Sequence, residues 1–127
     1  MARHILAAVH ATKVYKAGSI ETRALDDVSI AIEGGEFSAL CGPSGSGKTT
    51  LLNLLGTLDR PTGGQIFVDG EDTTAMSESA RAELRLRKLG FVFQSYNLVP
   101  VLSAVENVEF VLLLQGVPRA ERRTRAL

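Results

Sequence analysis

The chain has 127 residues, enough for one small domain, and its 45% hydrophobic content is that of a globular protein. Its 14 basic and 14 acidic residues cancel to a formal net charge of zero, which excludes a general attraction to nucleic acid or to an anionic membrane. A single cysteine, Cys41, excludes an internal disulfide.

Taken in chain order, residues 5–14 are apolar and β-prone, and they predict a strand. Its two histidines, His4 and His10, have no clustered partner ligands and are expected to be structural. Residues 15–22 are polar around Gly18 and predict a hairpin loop. Val28, Ile30 and Ile32 alternate with Ser29, Ala31 and Glu33, the pattern of a half-buried strand. A tight turn at Gly34-Gly35 leads to an apolar run, residues 36–41, predicted as a buried strand with Cys41 at its end.

Gly42-Pro43-Ser44-Gly45-Ser46-Gly47-Lys48-Thr49 follows, and it matches G-x-x-x-x-G-K-[ST] in full. Its glycines let the backbone curl with several N–H groups facing inward, a cradle for phosphate. Lys48 adds a positive charge for the β- and γ-phosphates, and the Thr49 hydroxyl suits Mg²⁺. The helical pattern that opens at Thr50 and ends near Gly56 aims its positive dipole end at the same phosphates. Strand, loop and helix together form the setting that the motif requires.

Beyond the loop at residues 60–64, residues 65–68 predict a short strand and Asp69-Gly70 a turn. Residues 77–88 predict a charged helix with Ser77 as N-cap and Gly90 as its stop. Phe91-Val92-Phe93 predicts another short buried strand, ending at Gln94. Ser103 and Glu106 form a capping box for a helix to Gln115, closed by Gly116 and Pro118. A last helix begins near Arg119. Pro100, Glu106, Asn107 and Glu109 interrupt the most apolar stretch, so no membrane span is expected. Met1-Ala2-Arg3-His4 lacks the long apolar core of a signal peptide, and a soluble chain is expected.

These blocks resemble the front half of an ATP-binding cassette (ABC) transporter ATPase. The resemblance rests on Ala24-Leu25-Asp26-Asp27-Val28-Ser29, residues 42–50, residues 56–64, Asp69-Gly70 and Gly90-Phe91-Val92-Phe93-Gln94. Residues 56–64 and 93–100 look most like the lipoprotein-release and macrolide-efflux branch. The fold class expected is α/β: a P-loop NTPase core with an appended antiparallel β layer, truncated before the Walker B strand. The layer would occupy about residues 1–35, the core about 36–94 and the start of a helical subdomain about 95–127.

The resemblance implies that MgATP binds at Gly42, Ser44, Gly45, Ser46, Gly47, Lys48, Thr49 and Thr50. It implies that Tyr15 stacks on adenine, and that Lys48 and Gln94 serve catalysis, with Gln94 and Thr49 on Mg²⁺. It also implies a transmembrane permease partner, a second ATPase subunit, and a cytoplasmic position on the inner face of the cell membrane. Apolar Leu98, Val99, Val101 and Leu102 then either touch that permease or lie in the core. The family's signature Leu-Ser-Gly-Gly-Gln sequence, Walker B aspartate, catalytic glutamate and switch histidine have no match in these residues. Asp69, Asp72, Glu106 and Glu109 do not stand in for them. Without the Walker B strand, residues 36–41 are expected to expose an apolar edge, and the chain to be marginal, to self-associate or to be a fragment of a longer polypeptide. Two other readings compete: a nucleotide-binding module of natural short length that does not hydrolyse, and a small P-loop kinase. The kinase would need Arg119, Arg122, Arg123 and Arg125 as a lid, where a solvated helical face is the simpler expectation.

Overall fold

Alternating side chains at the front of the chain build a long antiparallel hairpin, β1 (His4–Ala17) and β2 (Ile20–Glu33). The computed structural model describes residues 3–127. Met1 and Ala2, where the expected β layer and the signal-peptide reading begin, lie outside the described residues. The hairpin is longer than the sequence pattern suggests. Tyr15 pairs with Thr22, and Ala17 with Ile20, so the expected loop is mostly ladder. Gly18, at φ +62, reverses the chain in two residues, and polar strand residues on either side remain solvated.

On the other side of β1 lies β3 (Gly63–Val68), and β4 (Glu71–Asp72) pairs with β3. The sheet order is β2-β1-β3-β4, antiparallel throughout. Ala8 sits between Ile30 on one side and Ile66 on the other. A helix, α1 (Lys48–Leu55), packs Leu51, Leu54 and Leu55 against Ala8, Ala11, Leu25 and Ile66 of the sheet. The two alanines keep the strand surface low enough for the helix to approach. Each buried leucine contributes roughly 1.5–3 kcal/mol.

The ladder is irregular between Ala8 and Ala11, where His10 takes φ +50 and its N–H donates to Ser29 Oγ at 2.9 Å. Gly64 crosses this bulge at φ +79, and a Cβ there would overlap the His10 carbonyl. His10 Nδ1 lies 2.6 Å from Asp27 Oδ1, and His4 lies 4.0 Å from Glu33, so both histidines serve the hairpin.

Two expected strands do not form. Residues 36–41 and Phe91-Val92-Phe93 carry no strand pairing. Phe37 and Val92 are fully exposed, and Cys41 is exposed rather than buried. A strand exists only beside another strand, and none of β1 to β4 pairs with either segment. The expected apolar edge at residues 36–41 is therefore not an edge strand. Glu36 instead turns back on the preceding turn: its carboxylate accepts the Glu33 N–H at 2.8 Å and bonds Ser38 Oγ. The Glu33 N–H, with the Ser38 hydroxyl behind it, holds that carboxyl below its ordinary range against the opposing pull of desolvation.

The chain divides into two compact units, residues up to Arg81 and Ala82–Leu127. The helix α2 (Glu78–Lys88) spans the division, with Ser77 Oγ accepting the Ala80 N–H at 3.2 Å as its cap. The second unit continues with α3 (Ala104–Leu114) and α4 (Arg119–Ala126). The capping box is present: Ser103 Oγ accepts the Glu106 N–H, and Glu106 Oε2 accepts the Ser103 N–H at 2.7 Å. No helix among the described residues is long and apolar enough to cross a membrane.

Gly64→Ala is expected to cost about 2 kcal/mol or more in denaturant unfolding, through overlap and positive φ together. Gly18→Ala, with no atom within 4 Å of the added Cβ, should cost only about 1 kcal/mol. Equal losses would contradict the close crossing at His10.

Candidate nucleotide site

The first unit places the phosphate-loop motif at the entrance to α1. Gly42 and Pro43 have no regular secondary structure, Ser44 and Gly45 form a turn, and Ser46 and Gly47 bend into the helix. The Ser46 N–H donates to the Pro43 carbonyl at 3.2 Å, which closes the curl. The helix then starts at Lys48, with Thr49 exposed and Thr50 half-buried in its first turn.

Three features make this entrance fit an anion. The first amides of a helix have no intrahelical partner. Gly47 supplies no side-chain cap, and no acidic residue lies in the first turn. The dipole of α1 adds partial positive charge at the same point. Lys48 adds a full one: its ammonium donates to the Gly42 carbonyl at 2.6 Å, the Pro43 carbonyl at 2.7 Å and Ser46 Oγ at 3.1 Å. The ammonium thus braces the loop from inside.

Gly47 fixes the loop to the sheet. It adopts φ +94, and an added Cβ would lie 2.7 Å from the Ala24 carbonyl and 3.0 Å from Leu25 Cδ2. Only glycine permits both that backbone and that approach.

Tyr15, near the end of β1, belongs to the same unit and is 43% exposed, enough to offer a ring surface. Its hydroxyl donates to Asp59 Oδ2 at 3.1 Å. Asp59 Oδ1 accepts from Lys13 Nζ at 3.0 Å and from the Arg60 N–H at 2.8 Å. Burial works to raise the Asp59 carboxyl, and the hydrogen bonds from Lys13, the Arg60 N–H and Tyr15 outweigh it, so the group stays below the usual carboxylate range. The sequence gives no local sign of this cluster, because Asp59 stands 44 residues from Tyr15.

Gln94 lies in the second unit, in an exposed bend. Leu98, Val99 and Val101 are exposed rather than core. A cleft of about 400 Å³ in that unit is lined by Glu109, Phe110, Leu113, Arg119 and Arg122. Of the four arginines named for a lid, three are engaged locally. Arg122 donates to the Val117 carbonyl at 2.7 Å, Arg123 pairs with Glu109 at 3.4 Å, and Arg125 with Glu121 at 3.6 Å. The carboxylates that do not stand in for a general base are engaged as well. Glu106 caps α3, Asp69 pairs with Arg3 at 2.8 Å, and Asp72 accepts the Thr74 N–H at 2.9 Å. No group of three or more His, Cys, Asp or Glu side chains able to hold a metal occurs among the described residues.

This geometry, a glycine-turned loop braced by a lysine at a bare helix start, agrees with comparison to known proteins. Residues 25–127 match the ABC transporter family model, and the chain belongs to that family. It is 49% identical over 114 residues to the macrolide export ATP-binding/permease protein MacB of Brucella abortus, which covers 90% of this chain and 18% of MacB. It is 45% identical over 121 residues to the lipoprotein-releasing system ATP-binding protein LolD of Bordetella avium, covering 95% of this chain and 53% of LolD. Its fold superposes with a TM-score of 0.88, at 42% identity, on the ATP-binding cassette MJ0796 of Methanocaldococcus jannaschii, solved as a dimer bound to ADP and Pi; 95% of this chain and 53% of that one are covered. The chain spans about half the length of LolD and MJ0796.

Gly47→Ala is expected to push the start of α1 away from β2. Urea unfolding should show a loss of roughly 2 kcal/mol or more, and the amide resonances of Ala24 and Leu25 should move. Gly45→Ala, with no atom within 4 Å of the added Cβ, should leave those two resonances in place. An unperturbed Ala24 in the Gly47 variant would contradict the close approach.

Proposed function

We propose that this chain is the ATP-binding part of an ABC transporter ATPase. The observation that carries the reading is the uncapped start of α1, with the Lys48 ammonium 2.6–3.1 Å from three oxygens of the loop before it. Phosphate oxygens of ATP would take the amides of Gly45, Gly47, Lys48 and Thr49, and the ammonium would turn from the loop carbonyls to the β- and γ-phosphates. Thr49, exposed in the first turn, would give its hydroxyl to Mg²⁺. Bound Mg²⁺ would supply charge neutralisation between the phosphates. Tyr15 would carry the adenine by stacking, worth ~1–3 kcal/mol for an aromatic ring on a base.

The wider role follows the family. In the whole transporter, Gln94 would reach Mg²⁺ and the attacking water, and a second ATPase subunit would close over the γ-phosphate. The exposed apolar residues Leu98, Val99 and Val101 would face a permease, holding the protein to the inner face of the membrane. The resemblance to both LolD and MacB supports a role in lipoprotein release or macrolide efflux. Binding rather than turnover is assigned to these residues, since Asp69, Asp72 and Glu106 are committed to structural bonds.

The test is calorimetric titration with MgATP. Saturable binding is expected, and Lys48→Ala should weaken it at least about tenfold, the loss of a charge-assisted hydrogen bond of ~1.5–3 kcal/mol. Binding that the variant retains in full would contradict the site. ATP turnover by this chain that the variant abolishes would contradict the assignment of binding alone.

A further inference from the structure

We infer that Asp59, charge-balanced by Lys13, is the residue that positions Tyr15 for the nucleobase. The inference rests on the nucleotide reading and adds a residue that acts through another one. A half-exposed tyrosine near a strand end would have to give up rotamer freedom each time a base stacked on it.

Here the ring is already held at two points. Its hydroxyl donates to Asp59 Oδ2 at 3.1 Å, and Lys13 Nζ stands 5.1 Å from the ring centroid, within cation–π range. The ammonium stands over one face of a ring that is 43% exposed, so a base would take the other. Lys13 is itself fixed. Its side chain is only 13% exposed, and its ammonium donates to Asp59 Oδ1 at 3.0 Å and to the Arg60 carbonyl at 2.6 Å.

Asp59 is in turn anchored through its backbone. Its carbonyl accepts from Arg81 Nη2 at 2.8 Å, and its N–H donates to the Asn53 carbonyl at 3.3 Å. Arg81 is 3% exposed and also bonds the Thr57 carbonyl at 2.6 Å. The carboxylate is thus a fixed post, joined to the C-terminal end of α1, whose N-terminal end forms the phosphate loop. Asp59 places the base platform at a set distance from the phosphate cradle without touching either part of the ligand.

A positioning role and a general structural role differ in what they do to a ligand without a base. The experiment measures Kd for MgATP and for Mg-tripolyphosphate by calorimetry, using the full chain and its Asp59→Ala, Asp59→Asn and Tyr15→Phe variants. Asp59→Ala should weaken MgATP by roughly fivefold or more, the lower end of a lost stacking contact, and leave tripolyphosphate within about twofold. Asp59→Asn keeps an oxygen for the Tyr15 hydroxyl and loses the charge on Lys13, so its loss should be smaller. Tyr15→Phe removes the same bond from the other side, at a solvent-facing ring, and should reproduce the selective loss even where Asp59→Ala folds poorly. In the Tyr15→Phe background, adding Asp59→Asn should cost MgATP less than it does alone.

Equal weakening of both ligands in these variants, or no change in the MgATP to tripolyphosphate ratio, would overturn the inference while leaving the nucleotide reading intact. A wild-type chain that binds neither ligand would overturn the nucleotide reading and the inference with it.

Discussion

The approach of Gly47 to the Ala24 carbonyl of β2 governs the first unit. It sets where α1 begins and which way its N-terminal amides face. From that point the helix carries Leu51, Leu54 and Leu55 onto the two alanines and Ile66, so the core and the anion cradle depend on one backbone contact. A side chain at residue 47 would lever the helix off the sheet and spread the loop that Lys48 braces. Catalytic loops are often described as ornaments on a scaffold. Here the loop glycine is also a scaffold contact, and stability and ligand geometry are not separable at that residue.

The far end of α1 is tied down by a different kind of force. Arg81 reaches from α2 to the carbonyls of Thr57 and Asp59, and its own charge is met by Glu78 at 2.5 Å. Burying a guanidinium is costly unless its donors find acceptors, and this one finds two backbone oxygens in the turn that follows the helix. The helix is therefore packed along its length by apolar contact, pinned at its start by close approach, and pinned past its end by hydrogen bonds. The phosphate loop and the Tyr15 platform lie at its two ends, so the rigidity of eight residues fixes their separation.

Much of this was legible in the sequence because its causes are local. The loop motif, the Ser103–Glu106 capping box, the Ser77 cap and the turn at Asp69-Gly70 all depend on residues within a few positions of each other, and all are present. The two strands that failed, at residues 36–41 and 91–93, have the right composition. Composition supplies an apolar surface, whereas a strand also needs a neighbour to take its N–H and C=O groups, and no such neighbour pairs there. Tyr15 lies in a strand where its neighbours predict a loop, for the opposite reason. Its surroundings are polar, but Thr22 across the hairpin supplies the ladder partner. The contacts that define its environment, with Asp59 and Lys13, come from a separation that no spacing rule covers.

Backbone amide spectra of the isotope-labelled chain, recorded through a titration with MgATP, would test the location of the site most directly. The expected result is a saturable set of shifts centred on residues 44–50, with a second group around Tyr15 and little change from residue 102 onward. Shifts gathered instead on the cleft of Phe110, Leu113, Arg119 and Arg122, with the loop amides unmoved, would contradict the assignment of nucleotide binding to the start of α1.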